Sequence, residues 1–154
     1  YEGIGASREL AKLCVAGTSY MLLEMPFDRE WCSTVFRDLE QLGNRGVRVI
    51  IAHVERYPAL RRASVRRRLE GMTLLMQSNT ESFLSRRSVH RMLKWWKQGS
   101  IHILASDCHH ADHRPPELGA LVSLMERRGQ IQSLNRAFDL AHRILGNADA
   151  LNPV

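Results

Sequence analysis

No apolar run in this chain approaches the roughly 18 residues that a membrane-spanning helix needs. The longest are as short as Val49-Ile50-Ile51-Ala52. Cysteine is scarce too. Cys14, Cys32 and Cys108 are odd in number, scattered and without a C-x-x-C pair. That argues against a disulfide framework and a thiolate zinc site and fits a reducing cytoplasm, the expected location. Cys14 and Cys32 read as small buried hydrophobes. There is no low-complexity tract and no internal repeat. No signal peptide is visible, and the chain starts at Tyr1 rather than methionine, so the expectation is that coding sequence lies upstream.

The net charge is +6, much of it in Arg61-Arg62-Ala63-Ser64-Val65-Arg66-Arg67-Arg68. A basic surface can attract nucleic acid or a phosphorylated partner. The other reading is a solvated helix face. Aromatics are missing from the cluster, so a single-strand stacking platform is poorly supported and nucleic acid is not the expected partner.

The 154 residues are one domain's worth of chain. Ser19 to Met25, Val47 to Ala52, Met72 to Gln77 and Ile101 to Ala105 are short apolar runs that predict buried strands. Between them lie helical patterns. Glu2 to Val15 carries a weak one. Trp31, Val35, Leu39 and Leu42 follow Asp28, a candidate N-cap, and Leu60 to Leu69 reads as a basic helix. Ser88 can cap a helix with the stripe Val89, Met92, Leu93 and Trp96, and helices follow from Leu118 and from Ile131. Four strand–helix units with short connections predict an α/β fold, a parallel sheet or barrel with outer helices.

The strand ends carry Glu24, His53, Asn79 and Asp107, separated by 29, 26 and 28 residues. Each gap is one βαβ period, so all four lie at the same C-terminal rim of a parallel sheet, where such folds place active sites. Glu24, His53, Asp107 and His109 form a carboxylate and imidazole set suited to Mn²⁺, Fe²⁺ or Zn²⁺. Each has a plainer reading. Glu24 can keep its head in water or pair with an arginine, His53 can be a hydrogen-bonded histidine, and Asp107 a turn residue. Arg56 and Arg114 follow close behind proposed ligands and can grip phosphate oxygens, or pair with carboxylates such as Glu55 and Asp112. Together these parts suit a metal-dependent phosphomonoesterase in which metal ions act as Lewis acids and supply a hydroxide nucleophile.

Three stretches carry a resemblance: Tyr20-Met-Leu-Leu-Glu24-Met-Pro-Phe27, Ile51-Ala-His53-Val-Glu55-Arg56-Tyr57, and Ile101 to His109 with Arg114-Pro-Pro. In order and spacing they resemble motifs of the capsule-biosynthesis tyrosine phosphatases of CpsB/CapC type, in the polymerase-and-histidinol-phosphatase (PHP) superfamily. The resemblance implies a distorted (β/α)7, TIM-like barrel with a trinuclear, usually manganese, centre. It implies a substrate too, phosphotyrosine on a bacterial kinase that controls polysaccharide export. Carried over by position, Glu24 would bridge two metals, His53 and Asp107 would each bind one of that pair, and His109 would hold the third. Arg56 and Arg114 would hold the phosphate. His102 matches a common family position, with a strand-interior role expected.

The family's opening H-x-H motif does not occur in this sequence, and Val54 replaces the motif proline. Residues 1–154 therefore read as the C-terminal portion of one PHP-type domain, a partial barrel of about four strand–helix units. Such a piece is expected to be poorly active alone and to expose a sheet edge prone to self-association. Two alternatives remain: another PHP phosphoesterase, acting on a histidinol-phosphate-like ester or a nucleic-acid 3′ end, and a non-catalytic basic binding module.

Overall fold

The computed structural model describes residues 4, 9–15, 17–28, 30–108 and 117–146. Its centre is a four-stranded parallel sheet in the order β1-β2-β3-β4. The strands are β1 (Tyr20–Leu23), β2 (Arg48–Ile51), β3 (Leu74–Asn79) and β4 (Ile103–Ala105). Leu22 pairs with Ile50, Ile50 with Leu75, and Asn79 with Ala105. The sheet is open, as a partial barrel requires.

Successive strand residues point to opposite faces, and the core divides accordingly. Met21, Leu23, Val49, Ile51, Met76 and Leu104 face the helices. These are α2 (Ser33–Asn44), α5 (Val89–Lys97) and α6 (Leu118–Arg127), together with the short α1 (Leu10–Leu13), α3 (Ala63–Glu70) and α4 (Glu81–Leu84). Tyr20, Ile50 and Ile103 face the other way and meet Ile144 of α7 (Ile131–Gly146). This last helix straddles the β4 edge. Its Leu134 and Ala137 belong to the helix-side core, whereas Leu140, Ala141 and Ile144 lie on the sheet's inner face. The inward apolar side chains are thus covered at the β4 end, while Leu22 on β1 stays 58% exposed.

Several elements depart from the sequence expectation. In the first segment the α-helix is confined to Leu10–Leu13 among the described residues, with 3-10 conformation at Ile4. Helix α2 is preceded by Cys32, not capped by Asp28. The Trp31 indole donates to the Pro26 carbonyl at 3.0 Å, and its ring packs against Tyr57 and Phe36. The loop before α2 is held by that aromatic cluster. Cys32 is exposed and Cys14 half-buried, so the buried-hydrophobe reading fails for Cys32.

The basic segment splits into a 3-10 turn at Pro58–Arg61 followed by α3. Its arginines are less free than a solvated face would be. Arg68 lies 3.9 Å above the Phe36 ring, Arg66 stacks on Trp95 and donates to the Leu60 carbonyl, and Arg62 pairs with Glu30. Among the described residues no helix is long and apolar enough to cross a membrane.

Candidate metal and phosphate site

The parallel register carries the four strand-end residues to one rim. Two extra ties bring the first two together. The Met25 backbone N–H donates to the Tyr57 hydroxyl at 2.9 Å, and the Ala52 N–H donates to the Leu23 carbonyl at 3.0 Å. Tyr57 is fully buried against Phe27 and Trp31, and burial pushes its phenol up from the ordinary value. Glu24, next to the anchored Met25, then meets His53 with Oε1 3.3 Å from Nε2.

His53 and Asp107 both adopt left-handed backbone, φ 54° and φ 52°, and no other non-glycine residue does so among the described residues. That conformation costs an L-residue about 1–2 kcal/mol, and such strain collects at functional sites. The two strained positions are two that the strand-end spacing singles out.

An amide relay links them. The His53 backbone N–H can only donate, and it meets Gln77 Oε1 at 2.9 Å. Gln77 Nε2 must therefore donate to Asn79 Oδ1, at 3.0 Å. Asn79 Nδ2 donates in turn to Asp107 Oδ2 at 3.0 Å. Both ends of the chain of bonds agree on the amide orientations. His53 Nδ1, 3.0 Å from Asn79 Oδ1, must then carry a proton. In the neutral ring this leaves the Nε2 lone pair facing Glu24 Oε1.

Two ligand atoms about 2.0–2.2 Å from one ion lie close to the separation seen here, so the Glu24–His53 pair fits two positions of a cation site. The pair is not the whole of one. Among the described residues no group of three His, Cys, Asp or Glu side chains is arranged to hold a metal. Asp107 is turned to Arg56, Nη2 to Oδ2 3.3 Å. His109 and Arg114, with Asp112, lie outside the described residues.

Glu24 is exposed at 62%, so its apolar sequence context did not bury it. Glu55, read from sequence only as a partner for an arginine, is a structural tie. Its Oε2 accepts from Ser78 Oγ at 3.0 Å and the Asn79 N–H at 3.2 Å, while Arg56 Nε stands 3.9 Å from Oε1. His102 takes its expected interior role, its Nδ1 accepting the Met76 N–H at 3.0 Å. Gln77 and Tyr57 are the residues that sequence reasoning left without a role. A glutamine inside an apolar strand, two positions before Asn79 and so on the same face, was the available signal for the first. Beneath the rim, Leu22, Ile50, Ile103 and Ile144 line an apolar cavity of about 260 Å³ that reaches His53 and Asp107.

Comparison with known proteins agrees with this architecture. Tyrosine-protein phosphatase CpsB of Streptococcus agalactiae serotype V is 26% identical over 140 residues, covering 84% of this chain and 57% of that protein. CpsB of serotype III matches with the same identity and coverage. The chain thus spans little more than half the length of these curated relatives. A chain from the crystal structures of YwqE from Bacillus subtilis and CpsB from Streptococcus pneumoniae superposes with a TM-score of 0.76. Those proteins are described as unique metal-dependent tyrosine phosphatases. The match has 23% identity and covers 84% of this chain and 54% of that one, a likeness of fold. The family model for capsular polysaccharide synthesis, CpsB/CapC, spans residues 4–145, and to that family this chain belongs.

Proposed function

We propose that this chain supplies one side of the active rim of a metal-dependent phosphomonoesterase that removes phosphate from protein tyrosine in capsule or exopolysaccharide synthesis. The observation that carries the reading is the convergence of Glu24, His53, Arg56 and Asp107 at one rim, with strained backbone at His53 and Asp107. Its substrate would be a phosphotyrosine-bearing bacterial kinase in the cytoplasm, as the family resemblance implies.

Manganese, or iron or zinc in its place, would contribute Lewis acidity and an activated water when bound. Glu24 and His53 would hold one ion between them, Asp107 a neighbouring one, and His109 a third. The amide relay keeps the His53 Nε2 on the side of Glu24, where it would serve as a donor to an ion. Arg56, with its side chain 39% exposed, retains N–H groups for the phosphate oxygens beyond its contact with Asp107, and Arg114 would share that task. The remaining ligands would come from outside residues 1–154. The exposed β1 edge would be where those units join, or where the isolated chain self-associates.

The test uses the longest reading frame containing this chain, with Mn²⁺ and a phosphotyrosine peptide. Glu24→Ala and Asp107→Ala are expected to lose both metal content and rate. Arg56→Ala should keep the metal and lose about 10- to 100-fold in rate, the value of a charge-assisted hydrogen bond. Wild-type rates in Arg56→Ala would remove the phosphate-holding role. A protein that retains no metal but binds nucleic acid with strong salt dependence would instead be a basic binding module.

A further inference from the structure

Arg56 belongs to two places at once. On one side it meets Asp107 at the rim; on the other it lines a polar cavity of about 220 Å³ shared with Glu55, Asn79, Ser82, Ser85 and Arg91. That volume is below the range of whole-ligand pockets, about 300–1,000 Å³, and suits a single side chain.

Arg91 is the unusual member. It projects from α5, stacks against Trp95 and donates from Nη2 to the Glu55 carbonyl at 3.3 Å. Its Nε is buried without a hydrogen-bond partner. A half-buried guanidinium with its Nε unpartnered is costly, and an anion in the cavity would offset its positive charge through the Nη groups. Burial first, and the nearby positive charge of Arg61 second, hold Arg91 below its ordinary value, with the Glu55 carboxylate offsetting part of that shift.

The cavity's carboxylates fill this role only in part, since Arg91 meets Glu55 through its backbone carbonyl and not through its carboxylate. Glu55 is committed through Oε2 to Ser78 and the Asn79 N–H, with Oε1 3.9 Å from Arg56 Nε, and Glu81 is exposed at the start of α4. Arg86 and Arg87, both exposed, sit between the lining residues Ser85 and Ser88 and add positive charge beside it.

We infer that this cavity is a specificity subsite that takes an acidic side chain, Asp or Glu, of the peptide substrate close in sequence to its phosphotyrosine. The inference rests on the phosphotyrosine reading for the neighbouring group, while the recognition of the carboxylate belongs to Arg91 and Arg56. Because Arg56 lines both places, a peptide that lays its phosphate at the rim brings its flanking residues to the cavity.

The experiment is fluorescence anisotropy of labelled peptides with the longest reading frame containing this chain, without added metal so that the phosphate stays on the peptide. Phosphotyrosine peptides carry glutamate, alanine or lysine at each of the three positions on either side, and unphosphorylated glutamate and alanine peptides complete the set. At one position glutamate is expected to bind about tenfold tighter than alanine, as one charge-assisted hydrogen bond predicts. Arg91→Gln should collapse that ratio, and Arg91→Lys should restore part of it. Ser85→Asp, which leaves Arg91 and its packing intact, should collapse it independently by placing a carboxylate at the cavity. Equal binding of glutamate and alanine peptides, or a preference that survives both Arg91→Gln and Ser85→Asp, overturns the subsite. A glutamate preference that is indifferent to phosphorylation supports the subsite and counts against the phosphotyrosine reading instead.

Discussion

Replacing Asn79 with alanine removes three hydrogen bonds together: from His53 Nδ1, from Gln77 Nε2 and to Asp107 Oδ2, each at 3.0 Å. Asn79 is 4% exposed, so water cannot readily take its place. At about 1 kcal/mol net per bond the loss is about 3 kcal/mol, a large share of the 5–15 kcal/mol typical of a domain but not all of it. For a chain of this size each kcal/mol moves the melting temperature by about 2–4 °C, so a fall of about 6–12 °C is expected. The second consequence concerns function. Without Asn79 Oδ1 the His53 ring loses the partner that assigns its proton to Nδ1, and the Nε2 lone pair is no longer committed to the side of Glu24. Outer ties of this kind are worth about 10- to 100-fold in metal affinity. Calorimetric melting and a Mn²⁺ titration of the purified variant measure the two effects separately. An unchanged melting temperature would refute the relay as a structural element. Unchanged manganese affinity in a destabilised protein would refute its role in orienting His53.

Three further outcomes are expected. His53→Gly should be more stable than His53→Ala by about 1 kcal/mol in urea unfolding, because alanine must also adopt φ 54°. Equal stability, or the usual advantage of alanine, would show that the left-handed backbone is not retained. His102 accepts the Met76 N–H and is held below its ordinary value by burial, so the unfolded chain binds its proton first. Its contribution to stability is complete above about pH 6.5 and is lost as pH falls toward the depressed folded value. His102→Leu should flatten that part of a melting-temperature profile between pH 7.5 and 5, and an unaltered slope would assign it to other groups. Arg68→Ala should cost up to about 1 kcal/mol through its lost stacking on Phe36, whereas Arg67→Ala should be nearly neutral by the same melt.

Much of this fold was legible because it rests on short-range pattern. Apolar runs such as Val49-Ile50-Ile51 and the regular strand-to-strand spacing are enough to specify a parallel sheet, and parallel register then carries Glu24, His53, Asn79 and Asp107 to one rim. Boundaries were less legible. β3 extends through Ser78 and Asn79, past its apolar residues, because their backbone pairs with Leu104 and Ala105, a partnership no local pattern contains. Cys32 and the loop before α2 were misjudged because Trp31 packs on Tyr57, a residue distant in sequence.

By itself, then, the sequence determined the fold class, the rim and the chemical types gathered there, since these follow from periodicity and from which side chains end each strand. Tertiary structure alone decided how those groups are used. It gave His53 its Nδ1 proton through Gln77 and Asn79, turned Asp107 to Arg56, left Glu24 open, and set the under-coordinated Arg91 beside the rim. Each of these depends on distances between residues many positions apart, which only the packed sheet and helices bring within hydrogen-bonding range.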